Sequence, residues 1–314
     1  MLKRFLSIGK VQIGLGIMGL FILVAFAGQP FATHVLNMSP ADIDYNTIGG
    51  LPPDTDHWLG TTSAGQDVLV WMLVGTQTSI FVGLTSAILG TILTVVIGAW
   101  AGFAGGVMDR ILNGFILVFT TIPTFAILFI IAAATQSSNW LLVSIVIACL
   151  EWSGGARMIR AQTMSLRGRD FTTALRTVGE SQWRIILVEV MPHLLGVISP
   201  MFLTLIAAGV NMQASLAFLG IGDPSQPSWG LMINWAMTQN ALFRGMWWWF
   251  VPPGMALALV GFATTMINFG LDEITNPTLS TKRMKLMRKF VRDKNRKAAV
   301  KTAAPAAPEA VSAS

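Results

Sequence analysis

Six long apolar runs, each nearly free of charge, limit what this chain can become. A hydrocarbon layer about 30 Å thick is crossed by about 20 apolar residues in a helix. Val11–Gly28, Ile80–Phe103, Ile111–Ala134, Trp140–Ala156, Leu194–Val210 and Trp247–Leu271 approach that length. Inside a bilayer every backbone N–H and C=O must be satisfied within the protein, so such runs fold as helices. Of 314 residues, 53% are hydrophobic and 11% charged, against about 25% charged in soluble domains. The expectation is an all-α integral membrane protein with six transmembrane helices. Residues 211–222 either prolong the fifth helix or fold back into the bilayer. Met1-Leu2-Lys3-Arg4 before an apolar run mimics a signal peptide. The run is expected to be a retained membrane helix rather than a cleaved signal peptide.

Lys and Arg set the orientation, because cytoplasmic loops collect them. With the N-terminus inside and six spans threaded, 20 of the 21 Lys and Arg fall on the inner side and only Arg244 falls outside. Both termini are therefore expected in the cytoplasm. The pI near 9.9 then reflects topology, and no nucleic-acid partner is expected. The expected divisions are a cytoplasmic N-terminus (1–10), a first span (11–28), an extracytoplasmic loop (29–79) and a core of five spans (80–279). A basic tail, Ala/Pro-rich toward its end and disordered there, follows at 280–314.

Loop 29–79 holds five aspartates and no Lys or Arg, and Gly49-Gly50 and Pro52-Pro53 mark its turns. Gly98, Gly102 and Gly106 recur every four residues, which puts them on one helix face where another helix can come close. Pro123 and Pro200 each remove a backbone hydrogen bond and are expected to kink their helices. One cysteine, Cys149, sits in an apolar run, and the three histidines match no metal-ligand spacing. There is no G-x4-G-K-[ST] loop, so ATP is not expected on this chain, and no nucleophile–base constellation is present.

Between the fourth and fifth runs lies a charged, polar island, Arg157 to His193, much longer than ordinary helix connections. Asp170 suits the N-cap of a short helix starting at Phe171. Phe171, Ala174, Leu175 and Val178 then form one apolar face, with Thr173, Arg176 and Thr177 turned elsewhere. Gly179 supplies the left-handed residue that ends it. Ser181 can cap a second helix whose stripe is Trp183, Ile186, Leu187, Val190 and Met191, with Glu180 and Arg184 paired at i, i+4. Pro192 marks the start of the fifth span. Such an amphipathic unit either docks a partner or lies on the headgroups. Elsewhere, Glu151 is expected to pair with Arg157 or Arg160 at the interface. Asn211 and Gln213 are candidates for a translocation path or for helix–helix hydrogen bonds. Trp247–Trp249 suits an outer aromatic belt, and Arg244 an ordinary surface position.

Thr173-Ala174-Leu175-x3-Gly179-x12-Pro192 resembles the E-A-A-x3-G loop and following Leu-Pro of binding-protein-dependent ABC importer permeases. Thr173, Leu175 and Met191 stand where Glu, Ala and Leu are usual. His57-Trp58-Leu59-Gly60-Thr61-Thr62-x2-Gly65-Gln66-Asp67-Val68-Leu69 resembles the H-x-L-G-T-D-x2-G-R-D-V-L segment of dipeptide and oligopeptide permeases, with Thr62 for Asp and Gln66 for Arg. Ala214–Gly222, Pro227-Ser228-Trp229-Gly230, Trp247–Trp249 before Pro252-Pro253-Gly254, and Asn276-Pro277 are similar to further segments of that family.

The resemblance implies a type I ABC importer permease (MetI-like) architecture, as the C-type subunit of a peptide-class importer, with a cytoplasmic coupling helix around 170–192. The residues implied in coupling are Asp170, Phe171, Thr173, Ala174, Leu175, Arg176, Gly179 and Pro192. It also implies a heterodimer with a homologous permease subunit, two cytoplasmic ATPase subunits carrying ATP and Mg, and an extracytoplasmic substrate-binding protein. Peptides are the implied cargo. Nickel or another small solute is the alternative within the family, and a self-sufficient secondary transporter is the alternative outside it.

Overall fold

In the computed structural model the described residues are 5–135, 139–275 and Arg292. The tail expected over 280–314, Arg292 apart, and the closing Asn276-Pro277 lie outside them. Nine helices organise the described residues: α1 (Gly9–His34), α2 (Val68–Ala104), α3 (Gly106–Thr121), α4 (Thr124–Thr135), α5 (Trp140–Arg167), α6 (Asp170–Thr177), α7 (Gln182–Phe218), α8 (Trp229–Thr238) and α9 (Trp247–Thr275). The single β feature among them is an isolated antiparallel bridge, Thr61 to Asp67.

Five helices (α1, α2, α5, α7 and α9) are each long and apolar enough to cross a membrane. The third expected run departs from a kinked helix. It breaks at Ile122-Pro123 into α3 and α4, bent by 76°. Ile122 is extended, with ψ 128°, as a residue before proline prefers. The bent pair makes the sixth candidate span. Pro200 lies inside the unbroken α7.

Capping fixes where several helices start. Asp67 accepts from the Val70 N–H at 2.9 Å to open α2, Asn139 accepts from Leu141 at 2.9 Å to open α5, and Ser228 accepts from Leu231 at 3.3 Å to open α8. Each satisfies a backbone donor that the first helical turn cannot. The first two spans reach further than their apolar runs, so the connection between them is 35–67 rather than 29–79. Residues 211–218 prolong α7, and Gly220 at φ 79° turns the chain away.

Helix packing shows the order of the bundle. A Cβ on Gly98 would lie 2.7 Å from the Ala156 carbonyl, and one on Gly102 would lie 2.5 Å from that of Arg160, while Gly90 faces Ala148. The two numberings advance together, so α2 and α5 run parallel in close contact. Gly106, expected on the same face, instead opens α3 with φ 61°, and a Cβ there would meet open space. Parallel neighbours require the chain between them to return along the bundle, and α3–α4 make that return. Across α2 and α7 the numberings run in opposite senses, as Ser79 meets Gln213 and Ser86 meets Gly209. Around this centre α1 and α9 pack antiparallel, with Gly14 against Ala263 and Gly270 against Val11. Leu20, Leu23 and Phe26 on α1 and Ile92 and Val96 on α2 remain exposed on its outer surface.

Replacing Gly98 or Gly102 with leucine should force α2 and α5 apart and destabilise the fold by about 1–3 kcal/mol, the usual cost of overpacking. Gly114→Ala, where nothing lies within 4 Å, should not. Thermal unfolding of the detergent-purified protein compares them, and equal melting would discount this contact.

Candidate functional site

The polar island is mostly helix end. Arg157–Arg167 completes α5 and Gln182–His193 begins α7, so residues 168–181 form the connection and hold α6. Asp170 is the first helical residue and Arg169 the N-cap; no side-chain cap bond forms. Asp170 instead places a carboxylate in the first turn, where the helix dipole favours it. Thr172, fully buried, donates to the Leu166 carbonyl at 2.9 Å and pins α6 to the end of α5. Arg176 lies over the Phe103 ring, 4.3 Å from its centroid, and Nη2 donates to the Phe103 carbonyl at 3.2 Å. That contact ties α6 to the last turn of α2. Desolvation, and then the positive charge of Arg167, lower the Arg176 pKa. Phe171 packs against the His193 ring at 5.7 Å, which ties α6 to α7.

Leu175 faces inward against the cluster of Ala99, Phe103, Ile159 and Ile185. Ala174 and Val178, expected on the same apolar face as Leu175, are exposed, Val178 by 83%. With Thr173 and Thr177 they make an outward face of low charge. At φ 84° Gly179 ends α6. Its N–H donates to Arg176 O and the Glu180 N–H to Leu175 O, both at 3.1 Å, which is a Schellman ending.

The second expected helix is the first part of α7. Ser181 caps it through the Arg184 N–H at 3.4 Å, and Glu180 pairs with Arg184 at 2.5 Å. Residues Ile185–Val190 form a π turn, with the Met191 N–H reaching Ile186 O. A π turn skips one α-type bond, which accommodates Pro192 immediately after it. It also changes the buried stripe to Ile185, Ile186 and Val190, leaving Leu187 exposed. Trp183 stacks on Trp100 with centroids 4.2 Å apart and planes 18° apart.

Arg160 meets Asp109 on α3 through two bonds, Nε to Oδ1 at 2.6 Å and Nη2 to Oδ2 at 2.9 Å. Glu151, expected to pair with Arg157 or Arg160, forms no ion pair among the described residues.

The opposite end of the bundle holds the second candidate region. Gln213 is 8% exposed, and its Oε1 accepts from Ser79 Oγ at 3.3 Å. Ser79 Oγ in turn accepts the Trp229 N–H at 3.3 Å. Gln213 thus makes the expected helix–helix bond and also lines a cavity of about 310 Å³. Asn211 is exposed on α7 and lines neither this cavity nor its neighbour of about 450 Å³. The two cavities share Thr78, Trp140 and Gln226 in their walls.

Beside them the 35–67 connection folds back over the starts of α2 and α9. His57 Nδ1 bonds Asp67 at 2.8 Å, and Nε2 lies 3.7 Å from Asp44. Thr62 and Gln66, in place of charged residues, bind locally. The Gln66 N–H donates to Thr62 Oγ1 at 3.2 Å and the Gln66 amide to Pro40 O at 3.1 Å. Trp248 Nε1 donates to the Thr61 carbonyl at 3.1 Å, and Arg244 donates to the Gly49 carbonyl. Trp248 and Trp249 are buried, so only Trp247 of the expected aromatic belt faces outward. Neither the clasp nor the cavities could be placed from the sequence; Thr61 to Trp248 is a contact across 187 residues.

Burial opposes charge on His57, yet Asp67, Asp54 and Asp44 together raise its pKa above 6.5. The charged form is therefore favoured by folding. Its stabilisation is complete below pH 6.5 and is lost as pH rises through the raised value. Thermal unfolding between pH 6 and pH 9 should show this loss in the native protein and a flatter profile in His57→Gln. Identical profiles would remove His57 as the cause.

The family described as "Binding-protein-dependent transport system inner membrane component" matches residues 94–277. The chain is 31% identical over 277 residues to the oligopeptide transport system permease protein OppC of Mycobacterium tuberculosis (strain H37Rv), covering 88% of this chain and 92% of that one. It is 28% identical over 270 residues to the dipeptide transport system permease protein DppC of Bacillus subtilis (strain 168), covering 84% and 82%. Against OppC of the same Bacillus strain it is 27% identical over 281 residues, covering 88% of each. The matched stretch includes the end of α2, the α3–α4 return, α6 with its anchors, and the cavity-lining part of α7. This multi-pass membrane protein belongs to the family of binding-protein-dependent transport system inner membrane components.

Proposed function

We propose that this chain is the C-type permease subunit of an ATP-driven importer of dipeptides or oligopeptides. It works beside a homologous permease subunit, two cytoplasmic ATPase subunits that hold ATP and Mg, and an extracytoplasmic binding protein. It crosses a bacterial inner or plasma membrane six times with both termini inside. The gathering of Arg around α6 supports a cytoplasmic position for that end. The relatives named for oligopeptide and dipeptide transport support the cargo.

One observation carries the coupling role: α6 is fastened on its inner side to three long helices and is bare on its outer side. Thr172 holds α5, Arg176 holds α2 and Phe171 holds α7. A push on the bare face reaches all three at once. Movement of the ATPases on binding or hydrolysing ATP would thereby bias the permease between inward-open and outward-open states. Thr173 lacks a carboxylate and donates to its own helix at Arg169 O, 3.3 Å away. Docking therefore rests on the shape and apolar contact of Ala174, Val178 and the Gly179 turn.

Val178→Asp puts a charge on a side chain 83% exposed. Such a surface change leaves stability within about 0.5 kcal/mol. Loss of a central interface contact is worth about 2 kcal/mol or more, so ATP-driven peptide uptake in proteoliposomes should fall at least about tenfold. Gly179→Val should also uncouple hydrolysis from uptake, because a branched residue strains φ 84°. Normal uptake by both variants, with the ATPases still attached, would reject α6 as the docking element.

A further inference from the structure

Two adjoining cavities lie at the end of the bundle opposite α6. Their walls carry side-chain amides from several elements: Gln29 on α1, Gln77 on α2, Gln213 on α7, and Gln226 before α8. A primary amide offers two donors and an acceptor, so a set of them can bond a peptide backbone without regard to its side chains. The inner cavity, about 310 Å³, lies within the size range of ligand pockets, about 300–1,000 Å³.

Charge in these walls is one-sided. Asp223 is the one charged residue in either, and no Lys, Arg or His accompanies it. Its Oδ1 accepts from Ser225 N–H at 2.8 Å and Ser225 Oγ–H at 2.5 Å. These bonds hold the carboxyl below its usual range, and no cation pairs with it among the described residues. Ser79 Oγ–H donates to the Gln213 carbonyl oxygen, which leaves the Gln213 NH2 and the second oxygen lone pair for a ligand. Trp140 belongs to both walls and adds an aromatic surface.

We infer that this groove is a subsite for the amino-terminal end of a peptide in transit. Asp223 takes the α-ammonium, Gln226 and Gln213 bond the first peptide units, and Trp140 flanks a side chain. The assignment rests on the peptide-importer reading above. A groove that grips the terminus and backbone accepts many sequences, and it has no cation to hold the carboxylate end.

Asp223→Asn tests it, since asparagine keeps the size and can still accept both Ser225 bonds. The complete transporter in proteoliposomes, with its unmodified binding protein, is offered tri-alanine and N-acetyl-tri-alanine. Loss of a charge-assisted bond should lower D223N uptake of tri-alanine about tenfold. D223E should keep most of that uptake, and N-acetyl-tri-alanine uptake should change in neither variant. ATP hydrolysis stimulated by the binding protein should also be unchanged. Native uptake of tri-alanine by D223N, or an equal fall for both peptides, overturns the assignment. A native transporter that hydrolyses ATP but carries neither peptide refutes the cargo reading itself. That result comes from the unaltered complex alone, so the two failures are distinct.

Discussion

The close parallel contact of α2 with α5 governs the architecture. Between lipid-embedded helices, association rests on van der Waals packing rather than on exclusion of water. Gly98 and Gly102 let the α5 backbone approach where any Cβ would collide with a carbonyl. Because the two helices are parallel, the chain must travel back between them, and the broken α3–α4 pair does so. Asp109 and Arg160 then fix the foot of the return to α5 through a two-bond ion pair. The same contact brings Phe103 and Leu166 to one end of the bundle, and these are two of the three anchors of α6.

The two ends of the bundle are built differently. At one, cationic helix ends surround a short helix whose inner side is fully engaged and whose outer side is nearly uncharged. At the other, an acidic, cation-poor connection closes over the starts of α2 and α9 beside amide-lined cavities. The connection is held by bonds to backbone carbonyls and by one histidine among aspartates, and its Leu59 packs on the apolar cluster of Trp71, Met246, Trp248 and Trp249. Its 35–67 chain carries no Lys or Arg, so Arg244 and His57 supply the positive partners from this end of the molecule.

Local chemistry was plain in the sequence wherever it depended on neighbours a few residues apart. Spans followed from apolar length, and Gly179 and Ser181 took the roles their residue types favour. Asp170 missed the cap by one place, a shift within the ordinary uncertainty of helix boundaries. Longer-range partners were not legible. Glu151 stood near Arg160 in the sequence, but Asp109, 51 residues away, holds it. Pattern also failed where one residue type serves two purposes. A tryptophan run reads as an interface belt, yet Trp248 and Trp249 pack inward with Trp71 and Met232, and Trp248 also bonds Thr61 of the 35–67 connection. The Phe171–Val178 stripe divides in the structure, with Leu175 packed inward and Ala174 and Val178 facing out. The amide groove gave no signal because its glutamines come from four separate stretches of chain.

The π turn at Ile185–Val190 sets the two halves of α7 by one residue of phase. Each residue of an α-helix turns through about 100°, so the extra residue rotates everything beyond it by about that angle. Trp183, stacked on Trp100, lies before the turn, whereas His193 and Gln213 lie after it, so these two stretches are aimed independently on one unbroken rod. Removing a single residue there would leave the length and hydropathy of the span almost unchanged. It would nevertheless turn Trp183 away from Trp100 while His193 and Gln213 kept their common phase.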